Sequence, residues 1–165
     1  MPHSAPVDSR AIIVSLNRSH GGVPKLPVAE ARVTTQGLEG DRQRDLRHHG
    51  GPERALCLYS LERIEALRRE GHPISPGSIG ENVTIAGLAW DRVTPGVRLR
   101  LGDVEVEVTA FTEPCKTIRF SFSDRQSVRV SQTAAPGWSR VYARVLREGV
   151  LRVGDTVELA EPDAG

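Results

Sequence analysis

The sequence predicts a mainly β domain, a closed or nearly closed β-barrel with a few peripheral helices, and three observations carry that expectation. Valine occurs eighteen times against seven aromatic residues. Sixteen glycines and eleven prolines break the chain into short segments, and the apolar stretches between them are strand-sized rather than helix-sized. Strands at this spacing around a single helix favour a barrel over an open sheet.

Taken in order, Ala11 to Leu16, Val28 to Thr34 and Ala55 to Tyr59 read as the first strands. Ala55, Cys57 and Tyr59 share one face of the third while Leu56 and Leu58 fill the other, so both faces are expected to be buried. One helix follows: Ser60 caps it, Glu62 sits in its first turn, Leu61, Ile64 and Leu67 keep helical spacing, and Gly71 closes it. Asn82 to Ala86 and Val97 to Leu101 read as further strands, and Val104 to Ala110 is the clearest, with three valines on one face and Glu105, Glu107 and Thr109 on the other. Gly102-Asp103 joins these last two as a hairpin. Val141 to Arg147 and Thr156 to Leu159 complete the set, punctuated by Gly149 and Gly154-Asp155.

A chain of 165 residues is one domain. It is expected to occupy residues 11–160, between a flexible N-terminus at 1–10 and a tail at 161–165. The 22 basic and 21 acidic residues leave a net charge of +1, which offers no strong field for nucleic acid or a membrane surface. No tract approaches the roughly 20 apolar residues of a membrane-spanning helix, and no basic flank leads into an apolar leader, so the cytoplasm is the expected compartment. Two cysteines are too few for a disulfide scaffold.

Cys115 carries the most chemistry. Thr112-Glu-Pro-Cys-Lys places it where a strand ends, and Pro114 suits the first position of a short helix. Free backbone N–H groups there, with Lys116 beside the sulfur, favour a thiolate, which is both a nucleophile and a soft metal ligand. The competing reading is a small buried residue at a strand end. Cys57, on an apolar strand, reads as inert core.

Only Lys25 and Lys116 are lysines among 22 basic residues, which singles both out. Arg42, Arg44, Arg47 and Arg54 fall within thirteen residues around His48-His49-Gly50-Gly51. That stretch suits a phosphate or carboxylate ligand or, as plainly, an exposed basic loop. Adjacent histidines point apart, which argues against a zinc site at His48 and His49. Pro76-Gly-Ser-Ile-Gly-Glu-Asn reads as a tight loop able to bring backbone amides against a ligand. Dinucleotide, P-loop and nucleophile-elbow patterns are absent.

In order, Gly21-Gly-Val-Pro-Lys, Gly40-Asp-Arg-Gln, His49-Gly-Gly, Pro76-Gly-x-x-Gly-Glu-Asn, Pro114-Cys, and Tyr142-Ala-Arg-Val-Leu-x-x-Gly before Gly154-Asp form a recognisable series. From Ala11 to Leu159 it resembles a stand-alone MOSC domain, the module named after the C-terminal part of molybdenum cofactor sulfurases. The resemblance implies a barrel similar to the pyruvate-kinase β-barrel and a site for molybdenum cofactor (molybdopterin). Its motif cysteine, here Cys115, either ligates the metal for reduction of N-hydroxylated compounds or carries sulfur. It also implies that Arg42 holds the anionic pterin, with Lys25, His49, Glu81, Asn82 and Lys116 as the other cofactor-binding candidates. One departure stands out: many members place an arginine a few residues before Pro-Cys, where this chain reads Phe111-Thr112-Glu113.

Three readings remain open from the sequence. A cofactor-binding reductase needs an electron-donor protein, since no flavin, haem or iron–sulfur motif is present. A cofactor-free persulfide carrier needs a cysteine desulfurase as partner, because the 165 residues hold no pyridoxal-phosphate domain. A non-enzymatic barrel that binds a small molecule or a protein uses the same loops with Cys115 merely packed.

Overall fold

The structure, a computed structural model, describes residues 10–19, 23–41, 51–114 and 116–160, with backbone alone at 116 and 117. The expected terminal segments at 1–9 and 161–165 lie outside the described residues. In chain order the strands are β1 (Ala11–Arg18), β2 (Leu26–Val28), β3 (Glu30–Thr34), β4 (Gly37–Leu38), β5 (Leu56–Ser60), β6 (Val83–Ala86), β7 (Arg98–Leu101), β8 (Val104–Thr112), β9 (Arg140–Arg147), β10 (Gly149–Arg152) and β11 (Thr156–Leu159). The α-helix α1 (Leu61–Arg69) lies between β5 and β6.

Seven strands close into a barrel in the order β1-β11-β7-β8-β9-β5-β6 and back to β1. Strand β2 hangs from β1 outside the ring, and β10, β3 and β4 form a separate three-stranded sheet. Every barrel neighbour is antiparallel except β5 and β6, which run parallel with Leu58 opposite Val83. A parallel pair needs a long crossover, and α1 with the loop after it supplies one. Ser60 accepts the Arg63 N–H at 3.2 Å as the cap of α1, and Ile64 and Leu67 are the helix residues that reach the core.

The alternation read in β8 is present: Val104, Val106 and Val108 are buried while Glu105, Glu107 and Thr109 stay half-exposed. They join Ile13, Leu16, Leu58, Ile85, Leu99 and Val141 in one contiguous core. The hairpin at Gly102-Asp103 pairs Leu101 with Val104, with Gly102 at φ +56°, a backbone that glycine adopts without penalty. In β1 a register shift between Ile13 and Ser15 moves the buried phase onto Leu16 and leaves Asn17 buried on the other face.

Three expectations needed correction. The segment Val28 to Thr34 is two strands in different sheets, since β2 pairs with β1 while β3 pairs with β10 and β4. The break falls at Ala29, a residue with no turn signal, whose carbonyl accepts from Val153. Gly149 opens β10 rather than only ending β9, because its pairing with Val33 lies more than a hundred residues away in sequence. Pro114 precedes the short helix instead of opening it: a 3-10 helix runs Lys116–Ser121. Among the described residues no helix is long and apolar enough to cross a membrane.

Candidate functional site

Segments far apart in sequence meet at two hydrogen-bonded junctions, linked by the loop of residues 76–82. The first junction is the Asp41 carboxylate. Lys25 Nζ lies 2.7 Å from Oδ1 and 2.8 Å from Oδ2, with both side chains about 95 % buried. Asn82 Nδ2 donates to Oδ2 at 3.0 Å and the Ser19 backbone N–H donates to Oδ1 at 2.9 Å. Asn82 is itself fixed from β5, where Cys57 N–H donates to its Oδ1 at 2.9 Å and Cys57 C=O accepts its N–H at 2.7 Å. The loop of Pro76 to Asn82 is tied to the Lys25 segment by the Lys25 N–H, which donates to Gly77 C=O at 2.9 Å.

The second junction is Arg140, the first residue of β9, opposite Thr112. It is 5 % exposed. Its Nη1 donates to Ile79 C=O at 2.7 Å and its Nη2 to Glu113 C=O at 3.4 Å, so one guanidinium straps the glycine loop to the segment that presents Cys115. Ser121 adds a second strap, donating to Ser78 Oγ at 2.9 Å.

Between the junctions lies a charged interior. Glu81 is fully buried; its Oε2 accepts from Thr84 at 3.0 Å, while Oε1 has no partner. Burial pushes its carboxyl up to about 7, against the opposing pull of the Gly77 and Glu81 backbone N–H groups, the Thr84 hydroxyl and the Arg140 charge. Burial likewise pushes the Cys57 thiol up, partly offset by the charge of Arg140. Glu81 Oε1, Thr112 Oγ1 and Arg140 Nε are three of the four buried side-chain polar atoms without a partner among the described residues. Such orphans are uncommon in folded proteins and concentrate where a ligand or water completes the set. The cavity of about 650 Å³ flanked by Arg92, Val97, Arg98 and Leu159 shares no residue with this cluster.

Of the residues singled out from sequence, Lys25, Glu81 and Asn82 are brought together here. Lys25 turns its ammonium to Asp41, so it acts on the chain leading into Arg42 and not as a free surface cation. Arg42, His48, His49 and Cys115 lie outside the described residues, as does the Lys116 side chain. Cys57 is buried core, as its strand pattern implied. Sequence reading missed Asn17, whose Nδ2 donates to Glu81 C=O and to Thr84 Oγ1, both at 3.2 Å, and it missed Arg140. Nothing local distinguishes Arg140 from the other arginines; only its pairing with the strand before Pro114 does.

Comparison with known proteins agrees with the fold. The MOSC domain pattern matches residues 45–158. The uncharacterised protein YflK of Bacillus subtilis (strain 168) is 37% identical over 144 residues, 84% of this chain and 62% of its own length. YiiM of Escherichia coli (strain K12) is 32% identical over 139 residues, 76% of this chain and 62% of its own. The crystal structure of YiiM from Geobacillus stearothermophilus matches with a TM-score of 0.64 at 28% identity, covering 94% of this chain and 77% of that one. The chain thus spans about 62% of the length of the curated relatives it matches. On barrel topology, motif order and these matches, the chain belongs to the MOSC domain family.

Proposed function

We propose that this protein binds molybdenum cofactor, with Cys115 as the metal-ligating thiolate, and reduces N-hydroxylated compounds with electrons from a partner protein. One observation carries the reading: the loop of residues 76–82 is hydrogen-bonded on one side to the Lys25 and Asp41 segments and on the other to Arg140, which also holds Glu113, two residues before Cys115. The residues present suit such a group. A thiolate is a soft donor suited to a transition metal, and the buried Arg140 guanidinium with the unpartnered polar atoms of Glu81 and Thr112 suits an anionic, polar cofactor. Bound there, molybdenum supplies two-electron redox chemistry.

The chain's own residues do the rest. Lys25, Asn82 and Ser19 N–H fix Asp41, the residue that precedes Arg42 in the chain. The Gly77–Gly80 loop, pinned by Lys25 N–H and Arg140, supports Glu81 and Asn82. Glu81, titrating near neutrality, holds a proton within the cluster. Net conversion of R–NHOH to R–NH2 and water takes up two electrons and two protons, the electrons arriving from the reduced partner.

The test is molybdenum and pterin content of protein expressed in a host that makes the cofactor, wild type against Cys115→Ser. Near-stoichiometric metal that disappears in the variant supports the reading. Wild-type protein without metal or pterin overturns it and leaves the persulfide carrier as the next activity to assay.

A further inference from the structure

The helix α1 ends in a form that fixes the residue just beyond it. Gly71 takes φ +100°, its N–H donates to Arg68 C=O at 2.9 Å, and the His72 N–H donates to Leu67 C=O at 3.2 Å, the paired bonds of a Schellman cap. His72 is thereby aimed at the segment that joins β8 to β9. The Ser123 backbone N–H donates to its Nδ1 at 3.2 Å, the Ser123 hydroxyl lies 3.3 Å from the same atom, and the ring meets buried Phe122 edge-on at 5.3 Å. A backbone N–H can only donate. This Nδ1 therefore carries no proton, and the ring's one N–H is at Nε2, 3.8 Å from Glu70 Oε1.

The charged groups around the ring are few. Glu70 is held by Arg129 through two bonds at 2.9 and 2.6 Å, which keep its carboxyl below the usual carboxylate range, so it is ionised with the ring in either form. Asp124, beside Ser123, turns its Oδ1 to the Gln126 N–H at 2.9 Å. Among the described residues no other group forms an ion pair with His72. Further along, the same segment is tied down by groups that do not titrate near neutrality. Arg63 and Arg129 each lie 4.6 Å from the Trp138 ring, and the Tyr59 hydroxyl donates to Trp138 C=O at 2.6 Å. The earlier part hangs on Ser121, which donates to Ser78, and on Ser123, which donates to His72.

We propose that His72 is a proton-operated latch on residues 118–126: the neutral ring holds Ser123 against the end of α1, and a proton on Nδ1 releases it while the Arg129–Glu70 end stays attached. A ring protonated on both nitrogens has no acceptor left. The Ser123 hydroxyl can rotate to accept the new N–H, but the backbone N–H is left facing another donor. Histidine changes charge between pH 5 and 8, so the segment is closed in neutral solution and loosens in mild acid. The latch acts on the stretch of chain that follows Cys115 and does not depend on what binds there.

The test is amide hydrogen exchange on the intact protein, made in a host without cofactor synthesis. Exchange is followed by peptide mass between pH 5 and 8 and scaled at each pH to the rate of an unstructured peptide. Protection of peptides spanning Ser123 should fall about tenfold from pH 8 to pH 5, the worth of one hydrogen bond, while peptides from β8 and around Trp138 keep theirs. His72→Asn puts an amide oxygen near the position of Nδ1 and does not titrate, so it should keep protection at both ends of the range. His72→Ala should show the low value throughout. A flat wild-type profile overturns the proposal without any variant, so a folding defect in either substitution leaves it refutable. A fall that survives in His72→Asn overturns it as well. Metal and pterin play no part in this readout, so its failure and that of the cofactor reading are distinct results.

Discussion

Lys25 and Asp41 meet as a bidentate ion pair at 2.7 and 2.8 Å, both about 95 % buried, although sixteen residues separate them in the chain. Removing one partner of such a pair strands the other charge without water. Lys25→Met is therefore expected to lose about 3–5 kcal/mol in urea unfolding. The double variant Lys25→Met with Asp41→Asn should recover much of that, since both charges are gone. If the double variant is as unstable as the single one, the pair contributes by shape and not by charge.

Glu81 sets a pH dependence with a definite sign. Burial pushes its folded carboxyl up to about 7 from an ordinary 4.5, so the folded state holds the proton more tightly than the unfolded one. The stability this group contributes is greatest below about pH 4.5, falls as pH rises toward 7, and is lost above it. The loss attributable to this group is on the order of 3 kcal/mol. Glu81→Gln should flatten that part of a stability profile taken between pH 5 and 8, by roughly this amount. A profile identical to wild type would show that another group titrates.

Gly77 has φ +83°, and a Cβ there would overlap the Lys25 carbonyl oxygen and press on the Asn17 side chain. Backbone atoms cannot step aside as a flexible side chain can. Gly77→Ala should cost about 2 kcal/mol or more in thermal or urea unfolding. On the proposed cofactor reading it should also lower molybdenum content, because the same loop carries Glu81 and Asn82. Gly71, with φ +100° but open space around it, is the control: alanine there strains the backbone alone.

The two thiols should behave as different chemical species. Cys57 lies buried with its thiol pushed up by burial, so native protein treated with iodoacetamide should be labelled at Cys115 alone, and Cys57 only after unfolding. Cys57→Ala is expected to cost about 1 kcal/mol. Native-state labelling of Cys57 would sink this assignment.

Much of the barrel was legible because its signals are local. Val104, Val106 and Val108 alternate with polar residues over five positions, and Ser60, Glu62, Ile64 and Leu67 mark a capped helix within eight. What was not legible depends on partners distant in sequence. The division of Val28 to Thr34 between two sheets is decided by β1 and β10, and β4 is two residues long. The site divides in the same way. Motif order singled out Lys25, Glu81 and Asn82, which the structure brings close together, but the turning of Lys25 toward Asp41 is a consequence of folding. Arg140 could not be found at all, because burial and cross-strand pairing select it from twenty chemically identical side chains.

The ring of strands closes between β1 and β11, with Ala11 opposite Val157. A ribosome must therefore release nearly the whole barrel before the first strand meets its last neighbour. Until then β1 and β7 each carry an unpaired edge, and nascent chains in that condition are open to pairing with one another. Premature stops that remove β11 should accordingly yield aggregates instead of a smaller working fragment. The same adjacency makes the barrel a natural subject for circular permutation, with new ends cut at an exposed turn such as Gly96.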